Sequence, residues 1–351
     1  MKIAICGCGW SGAILSNMLT EYGRVDVYEL NKQPTTVCAC GVPLSFLRHL
    51  TKKLGFNPEE YVLWKSNRII LDFGTMDITI PVRNLCTFDK EKLMKDLVQA
   101  SDANFSFGKK ASTELRNRYD LVVDATGKRA LLGPLPNDKI LQAFQVKARF
   151  KELPYPDFYM NFSDPSSGGY LWMFPISDRL AYVGCGGYSG SYIFHRVQRF
   201  IKRFKGRVLE RRAKSSRVNS PIESMPFFKG NIVGVGTSIG TISRLGEGNA
   251  LSARSAEFLA EHLNNLKEYS RKVLAEFRWL SNDYSFFEAY EKKLKSKLIY
   301  FGTKIWKIYK RRFDIRVTLS EFLSFIYGTL RWAFYSFRYG AELGVKSRKF
   351  K

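Results

Sequence analysis

The sequence has few of the residues that several common kinds of site require. Its 351 residues include six cysteines and three widely separated histidines: His49, His195 and His262. So few cysteines in a chain of this length do not form a disulfide framework, and the histidines exclude a histidine-rich metal cluster. We therefore expect a protein of a reducing compartment that is held together by its apolar core.

Long uncharged apolar runs are also lacking. The most apolar segment, Leu319–Ala341, carries Glu321, Arg331 and Arg338. A charge near the middle of a spanning helix costs about 2.5–3.5 kcal/mol, so the sequence predicts no transmembrane helix. The start of the chain is rich in glycine and has no clear cleavage site for a secretory signal. These features predict a cytoplasmic protein.

Acidic residues are scarce relative to basic ones. There are 32 Asp and Glu against 56 Lys and Arg, a net charge of +24. Residues 291–351 hold 16 basic and 4 acidic residues, so half of the excess lies there. An excess of this size indicates an acidic partner, such as nucleic acid, an anionic membrane surface or a charged substrate.

The first 30 residues have the pattern of a nucleotide-binding unit. Lys2–Cys6 predicts a buried strand, the next six residues read Gly-Cys-Gly-Trp-Ser-Gly, and a helical pattern and a second strand lead to Glu29. In such a unit Gly7 permits the tight turn, Gly9 lets a pyrophosphate approach the backbone, and Gly12 lets helix and strand pack closely. Glu29 is placed to bind a ribose diol. The sequence therefore predicts one dinucleotide site, while the glycines of 184–187 predict only a turn at a sheet end.

Further along, the pattern predicts a hairpin over Arg68–Ile80 and a buried strand over Asp120–Asp124. Four successive strands follow between about residues 142 and 185, which indicates an antiparallel sheet. Helices are predicted over Asp89–Ala100, over Ser191–Lys205 and from about Asn249 to Leu266.

Several separated motifs together resemble the geranylgeranyl reductase family, within the larger group of FAD enzymes that includes the aromatic hydroxylases. The matching segments are the glycine turn with Ser11 and Glu29, Cys40-Gly41, Arg83 before Phe88-Asp89, Asp124-Ala125-Thr126-Gly127, Tyr170-Leu171-Trp172-Met173-Phe174-Pro175, Val233–Gly236, and Gly246-Glu247-Gly248-Asn249. The Tyr-x-Trp-x-Phe-Pro match is the most specific of these.

This resemblance implies an α/β architecture. It consists of a Rossmann-like FAD-binding domain, an inserted antiparallel β-sheet domain for the substrate, and a C-terminal helical region. The implied FAD domain covers 1–58, 83–140 and 222–275. The substrate domain covers 59–82 and 141–221, and the basic helices cover 276–351.

The resemblance also implies the ligands. FAD would contact the glycine turn with Ser11 and Glu29, and also Cys40, Gly41, Arg83, Ala125, Gly127, Thr237, Gly248 and Asn249. The substrate would be a polyprenyl lipid lying against Tyr170, Trp172, Phe174 and Pro175, whose double bonds are saturated. The electron donor, a ferredoxin, a deazaflavin or NAD(P)H, is not selected by any motif.

Two segments depart from the family pattern. The usual Pro-Ala within the glycine turn is Trp10-Ser11, and the Asp expected after Gly236 is Thr237. A threonine hydroxyl can replace one hydrogen bond to the ribityl chain but carries no charge. Thr237 therefore favours one alternative, a non-catalytic FAD-fold protein that binds lipid. The other alternative is a flavin monooxygenase or halogenase with a compact aromatic substrate.

Two of these assignments have structural alternatives. Cys40 is a candidate to tune the flavin or relay a proton, and is equally well explained as a buried loop cysteine. The pairs Cys6/Cys8 and Cys38/Cys40 have a spacing that could suggest metal, but the first lies within the nucleotide turn, and we predict no metal site. From its alternation alone, the strand of Trp172 is more typical of an aromatic core strand than of a lipid pocket.

The segment 292–313 mixes aromatic and apolar residues with lysines, as helices at a membrane interface do. A second basic cluster, Arg196–Arg217, has ten basic residues opposed only by Glu210. A solvated charged face or nucleic-acid binding also fits such a composition. We favour peripheral association with an anionic membrane surface and predict no nucleic-acid partner.

Overall fold

A computed structural model describes residues 1–74, 76–164 and 167–315 of the chain. The chain divides into two compact units. The first comprises Met1–Trp64, Cys86–Ala143 and Arg212–Tyr284, and the second comprises Lys65–Leu85, Phe144–Arg211 and the residues from Ser285 onward. Residues 316–351 lie outside the described residues. They include the apolar segment Leu319–Ala341 and the end of the predicted basic helical region 276–351, which we call the basic tail.

The strands are β1 (Lys2–Cys6), β2 (Arg24–Glu29), β3 (Gly41–Val42), β4 (Val62–Lys65), β5 (Arg68–Asp72), β6 (Asp77–Pro81), β7 (Cys86–Phe88), β8 (Asn104–Phe107), β9 (Leu121–Asp124), β10 (Ile140–Arg149), β11 (Phe158–Asn161), β12 (Leu171–Ser177), β13 (Leu180–Gly187), β14 (Arg207–Arg217), β15 (Phe228–Lys229) and β16 (Ile232–Gly234). The α-helices are α1 (Trp10–Met18), α2 (Leu44–Lys53), α3 (Lys90–Gln99), α4 (Gly190–Arg203), α5 (Asn249–Glu261), α6 (Leu266–Glu276), α7 (Leu280–Glu291) and α8 (Lys295–Arg312).

The first unit is built on a six-stranded sheet in the order β15-β16-β9-β1-β2-β8. Strand β1 pairs in parallel with β2 and β9, and β8 and β16 extend the parallel sheet on either side. Ile3, Ala4 and Ile5 are fully buried, because a parallel sheet is covered on both faces and its central strand is therefore apolar throughout. This arrangement confirms the predicted α/β, Rossmann-like fold class.

A small sheet in the order β3-β7-β4 positions the cysteine loop of the first unit. Gly41 is paired with Thr87, and the N–H of Phe88 donates to the carbonyl oxygen of Cys40 at 3.1 Å. The loop before Gly41 is thereby fixed against the strand that precedes helix α3.

The larger sheet has the order β14-β10-β13-β12-β11-β5-β6, and its strands from β13 to β6 in that order lie in the second unit. Strand β12 runs antiparallel to β11 and β13, as predicted. The predicted hairpin, β5 and β6, is confirmed, and it joins the sheet through parallel pairing of β5 with β11. Along β12, Leu171 and Met173 enter a core cluster that includes Ile193 and Val197 of α4.

One helix prediction was wrong. The helix expected to run to Leu266 ends at Glu261, and α6 begins at Leu266. Asn265 separates the two, because its side chain accepts a hydrogen bond from the N–H of Glu268 and so caps the start of α6. Asparagine competes for backbone groups in this way and favours helix starts over helix interiors.

The glycine run at 184–187 also differs from its prediction. Strand β13 continues through Gly187, so the run is part of the sheet and not a turn at its end. Gly184 lies under the indole of Trp172, where a Cβ would approach the ring to 2.3 Å. The missing side chain makes room for a cross-strand aromatic ring.

The basic tail packs more closely than an interfacial helix requires. Leu298, Ile305 and Tyr309 of α8 are buried, whereas Ile299 and Tyr300 are each 54% exposed. An apolar cluster of the second unit contains further tail residues together with residues of the hairpin and the sheet: Trp306, Phe313, Ile315, Ile80, Phe158 and Phe174. Much of the apolar face predicted to enter a membrane is therefore protein core. Within the described part of the chain, no helix is long and apolar enough to cross a bilayer.

Candidate functional site

Two glycines of the N-terminal turn are required by close contacts of the chain with itself. Gly7 has φ +102°, and a Cβ there would lie 2.6 Å from the carbonyl oxygen of Ala125. A Cβ on Gly12 would lie 1.9 Å from the carbonyl oxygen of Gly7. Neither position has room for a side chain, so both glycines have the structural roles that their spacing predicted.

Gly9 is different, since a Cβ there would meet no atom within 4 Å. It is the N-cap residue of α1, and no side chain caps this helix start. The first N–H groups of a helix have no intrahelical partner, and together with the helix dipole they favour an anion. The space beside Gly9 therefore has the chemistry of a phosphate site.

The side chain of Ser11 is engaged elsewhere in the first unit. It is buried, its hydroxyl donates to the carbonyl oxygen of Ser252 at 3.5 Å, and a Cβ on Gly236 would approach that hydroxyl to 2.3 Å. The hydroxyl thus packs between α1 and α5. For the predicted phosphate contact, Ser11 therefore offers its backbone and not its hydroxyl.

Glu29 lies at the carboxyl end of β2 with 8% of its surface exposed. Its carboxylate accepts hydrogen bonds from the N–H of Cys8 at 2.7 Å and from the backbone and side chain of Asn31 at 2.8 and 2.6 Å. Burial and the nearby charge of Glu29 raise the pKa of the Cys8 thiol to about 12. Burial and Asp124 raise that of Cys6 to about 12 as well. Both thiols are therefore protonated at neutral pH.

The predicted second FAD segment is organised by a fully buried carboxylate, Asp124. Its oxygens accept from three N–H groups and two hydroxyls: the N–H groups of Thr126, Leu131 and Leu132, and the hydroxyls of Thr126 and Ser238. The N–H of Ala125 donates to the carbonyl oxygen of Cys6. Gly127 adopts φ +70°, and its N–H donates to the hydroxyl of Ser238. Thr237 lies beside this loop, with its Cβ 3.8 Å from the point that a Cβ on Gly127 would occupy.

The third predicted segment begins α5 and connects to the other two. Gly248 is the N-cap residue, and the side chain of Asn249 is buried behind it. The carbonyl oxygen of Asn249 accepts from the indole N–H of Trp10 at 2.8 Å. Its side-chain Oδ1 accepts from Lys90 Nζ at 2.8 Å, and its Nδ2 donates to Cys38 Sγ at 3.4 Å. Asn249 thereby ties the glycine turn, helix α3 and the cysteine loop together.

The pKa values of the two loop cysteines are shifted in opposite directions. Cys40 is buried and is held at φ +59°, an uncommon conformation for a residue with a side chain. The hydrogen bond with Cys38, together with burial, raises the pKa of the Cys40 thiol well above its usual value. The hydrogen bond from Cys40 and the charge of Lys90 hold the pKa of Cys38 well below its usual value. The sequence pattern indicated a functional role for Cys40 but none for Cys38 or Lys90.

Most of the predicted cofactor residues belong to one unit. The first unit contains Gly7, Gly9, Ser11, Gly12, Glu29, Cys40, Gly41, Ala125, Gly127, Thr237, Gly248 and Asn249. Arg83 belongs to the second unit, where it is exposed between β6 and β7. Over 1–74, 76–164 and 167–315, no group of three or more His, Cys, Asp and Glu side chains is placed to hold a metal ion.

The predicted substrate residues form a row of aromatic contacts in the second unit. Tyr170 contacts Phe162 and Trp172, with ring centroids 4.8 and 5.8 Å apart. The indole N–H of Trp172 donates to Gln145 at 3.2 Å. Phe174 stacks on Phe158 at 4.1 Å.

Burial alternates along the same strand. Trp172 and Phe174 are half-buried on one face of β12, while Leu171, Met173 and Pro175 are buried on the other. The alternation of a strand therefore separates Pro175 from the aromatic residues with which it was grouped.

Comparison with known proteins gives a consistent fold. No family model matches the chain. An uncharacterized protein of Methanocaldococcus jannaschii is 26% identical over 329 residues, covering 79% of this chain and 89% of that protein.

Among solved structures, the chain resembles a geranylgeranyl bacteriochlorophyll reductase-like protein of Thermoplasma acidophilum, with a TM-score of 0.69 and 15% identity over 83% of this chain and 87% of that one. It also resembles a flavin-dependent halogenase of Xanthomonas campestris (TM-score 0.65, 12% identity, 82% and 77% covered). A probable FAD-dependent monooxygenase of Pseudomonas aeruginosa is similar as well (TM-score 0.62, 15% identity, 86% and 99% covered). The chain therefore has the Rossmann-like fold of the FAD-binding flavoproteins.

Proposed function

We propose that the chain is an FAD-dependent oxidoreductase that saturates double bonds in the polyprenyl chains of membrane lipids or their precursors. The observation that carries the proposal is the open space beside Gly9, next to an uncapped helix start and a buried carboxylate, Glu29. These features fit a pyrophosphate and an adjacent ribose. The flavoprotein fold of the solved relatives supports FAD as the dinucleotide.

In this proposal the residues of the first unit hold the cofactor. The N–H groups at the start of α1 bind the pyrophosphate, and Glu29 accepts from the ribose hydroxyls. The loop of Ala125 and Gly127 contacts the remainder of FAD. Reduced FAD supplies a hydride to a substrate when it is bound, whereas the protein supplies orientation and a dry environment. The raised pKa of Cys40 keeps a proton on its Sγ at neutral pH, which suits a proton donor near the reacting bond.

The polyprenyl substrate is supported by the aromatic row on β12. A long hydrocarbon chain needs an apolar surface with few hydrogen-bonding groups, and the half-buried ring of Trp172 is a surface of this kind. The indole N–H is already bonded to Gln145, so the ring can face an apolar chain without leaving a donor unsatisfied. The similarity in fold to a geranylgeranyl bacteriochlorophyll reductase-like protein points the same way.

Replacement of Glu29 tests the ribose contact. We expect Glu29→Ala to weaken FAD binding about 10–100-fold, since a hydrogen bond to a charged group contributes about 1.5–3 kcal/mol. Isothermal titration of flavin-free protein with FAD measures the change. Glu29→Gln retains an acceptor for the N–H of Cys8. It therefore distinguishes the effect of the lost charge from the effect of losing this hydrogen bond to the glycine turn. Unchanged FAD affinity in both folded variants would contradict the assignment.

Helix α8 supports peripheral binding to an anionic membrane. Ile299 and Tyr300 are exposed, and Lys304 lies on the ring of Tyr300, with its Nζ 4.0 Å from the centroid. An exposed apolar and aromatic patch beside lysines suits the boundary between lipid headgroups and acyl chains.

We expect the double variant Ile299→Glu, Tyr300→Glu to bind vesicles with anionic lipid about tenfold more weakly, because it replaces apolar contacts with charges that the surface repels. Flotation of vesicles measures this. Leu209→Glu, which changes an exposed leucine on β14, is the matched control and should bind as the unmodified protein does. Equal loss in both variants would indicate binding by overall charge alone.

A flavin monooxygenase or halogenase is the second candidate, favoured by the similarity in fold to proteins of both kinds. The proposals separate in a single assay series with FAD-loaded protein and a geranylgeranylated glycerol ether. A prenyl reductase yields lipid heavier by two hydrogens per double bond under anaerobic conditions with a chemical reductant. An oxygen-using enzyme leaves the lipid unchanged and couples oxygen consumption to an aromatic substrate.

A further inference from the structure

The loop before β3 brings two thiols together in the first unit. The N–H of Cys40 donates to Cys38 Sγ at 3.2 Å, and Cys40 Sγ donates to the carbonyl oxygen of Cys38 at 3.3 Å. The left-handed conformation of Cys40 turns its side chain back onto the preceding residues. Residues held in such conformations are concentrated at functional sites.

The direction of the hydrogen bonds around Cys38 is fixed by Lys90. An ammonium group can only donate, so the oxygen of the Asn249 amide must face Lys90, at 2.8 Å. The amide nitrogen then faces Cys38, and it can only donate to the sulfur, at 3.4 Å. Cys38 Sγ therefore accepts from the amide of Asn249 and from the N–H of Cys40. A sulfur that accepts from two N–H donors is stabilised as a thiolate.

We propose that Cys38 and Cys40 form a two-electron dithiol–disulfide centre, with Cys38 as the attacking thiolate and Cys40 as the resolving thiol. The ligands of the centre are disulfides and dithiols. Cys38 is half-buried, whereas Cys40 is buried. This asymmetry suits an attacking and a resolving thiol.

The reaction balances without a further reagent. The Cys38 thiolate attacks one sulfur of an external disulfide, a bond forms between the two sulfurs, and the other half of the disulfide leaves as a thiolate. The Cys40 thiol then gives its proton to a leaving thiolate and attacks Cys38 Sγ, which releases the second half. The products are the Cys38–Cys40 disulfide, one external thiol and one external thiolate. The reverse reaction lets an external dithiol reduce the centre.

Charged groups near the pair favour the thiolate. Lys90 lies on helix α3, and its charge and that of Lys214 on β14 both act on Cys38. Asn249 is neutral and also links the pair to Trp10 at the start of α1. For the proposed reductase, and resting on that function, a dithiol would be the class of electron donor that the enzyme accepts.

The test uses flavin-free, full-length protein with oxidised glutathione as the probe, so failure to bind FAD does not affect it. We expect the unmodified protein to lose two hydrogens in intact mass and to give a Cys38–Cys40 disulfide peptide. Cys40→Ser should instead retain one glutathione on Cys38, because the resolving thiol is absent. Cys38→Ser should do neither, and Cys185→Ser, at a buried thiol whose pKa burial raises to about 11, should behave as the unmodified protein.

A second measurement does not depend on changing either cysteine. Alkylation of Cys38 by iodoacetamide, followed by peptide mass spectrometry, should stay rapid at pH values where an ordinary thiol with pKa near 8.5 slows. Lys90→Met should slow it about tenfold at pH 7, by removing the positive charge. The proposal is overturned if Cys38 reacts no faster than Cys6 and Cys8, or if glutathione attaches to Cys38 in the unmodified protein and is not displaced by Cys40.

Discussion

Gly9→Val is expected to weaken FAD binding about 100-fold while leaving the fold intact. A Cβ at Gly9 meets no atom of the chain within 4 Å, and the backbone is extended, with φ −74° and ψ −164°. A valine side chain would occupy the space assigned to the pyrophosphate. Loss of one or two charge-assisted hydrogen bonds costs about 3 kcal/mol, which corresponds to a factor of about 100.

The measurement is FAD affinity by titration, with thermal unfolding followed in parallel. Gly12→Ala is the contrasting variant, because its Cβ would lie 1.9 Å from the carbonyl oxygen of Gly7. It should lower the unfolding temperature, whereas Gly9→Val should leave it nearly unchanged. Full FAD affinity in folded Gly9→Val would mean that the space beside the glycine turn is not the pyrophosphate site.

Trp172→Ala is expected to reduce turnover of a polyprenyl lipid at least tenfold and to leave FAD affinity within about twofold. The indole covers Gly184, contacts Tyr170 and donates to Gln145. Its removal therefore takes away apolar surface and the contacts that fix the neighbouring aromatic side chain. Trp172 belongs to the second unit, whereas the phosphate site belongs to the first. The two properties should therefore separate.

Turnover is measured by mass spectrometry of the lipid, and flavin content by absorbance. Trp172→Phe retains an apolar ring and should recover part of the activity. Phe194→Ala removes an exposed aromatic residue of α4 in the same unit and should leave turnover unchanged. Loss of flavin from Trp172→Ala with normal folding would show that β12 has a structural role toward the cofactor.

The nucleotide unit could be predicted because its pattern is local. Strand, glycine turn, helix and acidic residue all lie within the first 29 residues, and close contacts require glycine at Gly7 and Gly12. The pairing of β1 with β2 then follows from the short connection between them. The hairpin of β5 and β6 could be predicted for the same reason, since its alternating strands and the glycine of its turn lie close together in sequence.

The state of Cys38 could not be predicted in the same way. Its partners come from distant parts of the chain, with Asn249 separated from it by 211 residues. The cysteine spacing indicated only a pair of thiols, and the choice between Cys38 and Cys40 depends on which of them the fold surrounds with donors. The tail presents a similar case. The periodicity of α8 indicated an apolar face, but not that Trp306 and Phe313 would pack with the hairpin residue Ile80.

The measurement that tests the proposed function most directly is a single turnover under anaerobic conditions. FAD-loaded protein is reduced chemically, freed of excess reductant and mixed with a geranylgeranylated glycerol ether in detergent, while flavin absorbance and lipid mass are followed together. The proposal predicts reoxidation of the flavin with one double bond saturated for each flavin oxidised. Flavin that stays reduced beside unchanged lipid, in protein that holds FAD, would contradict it.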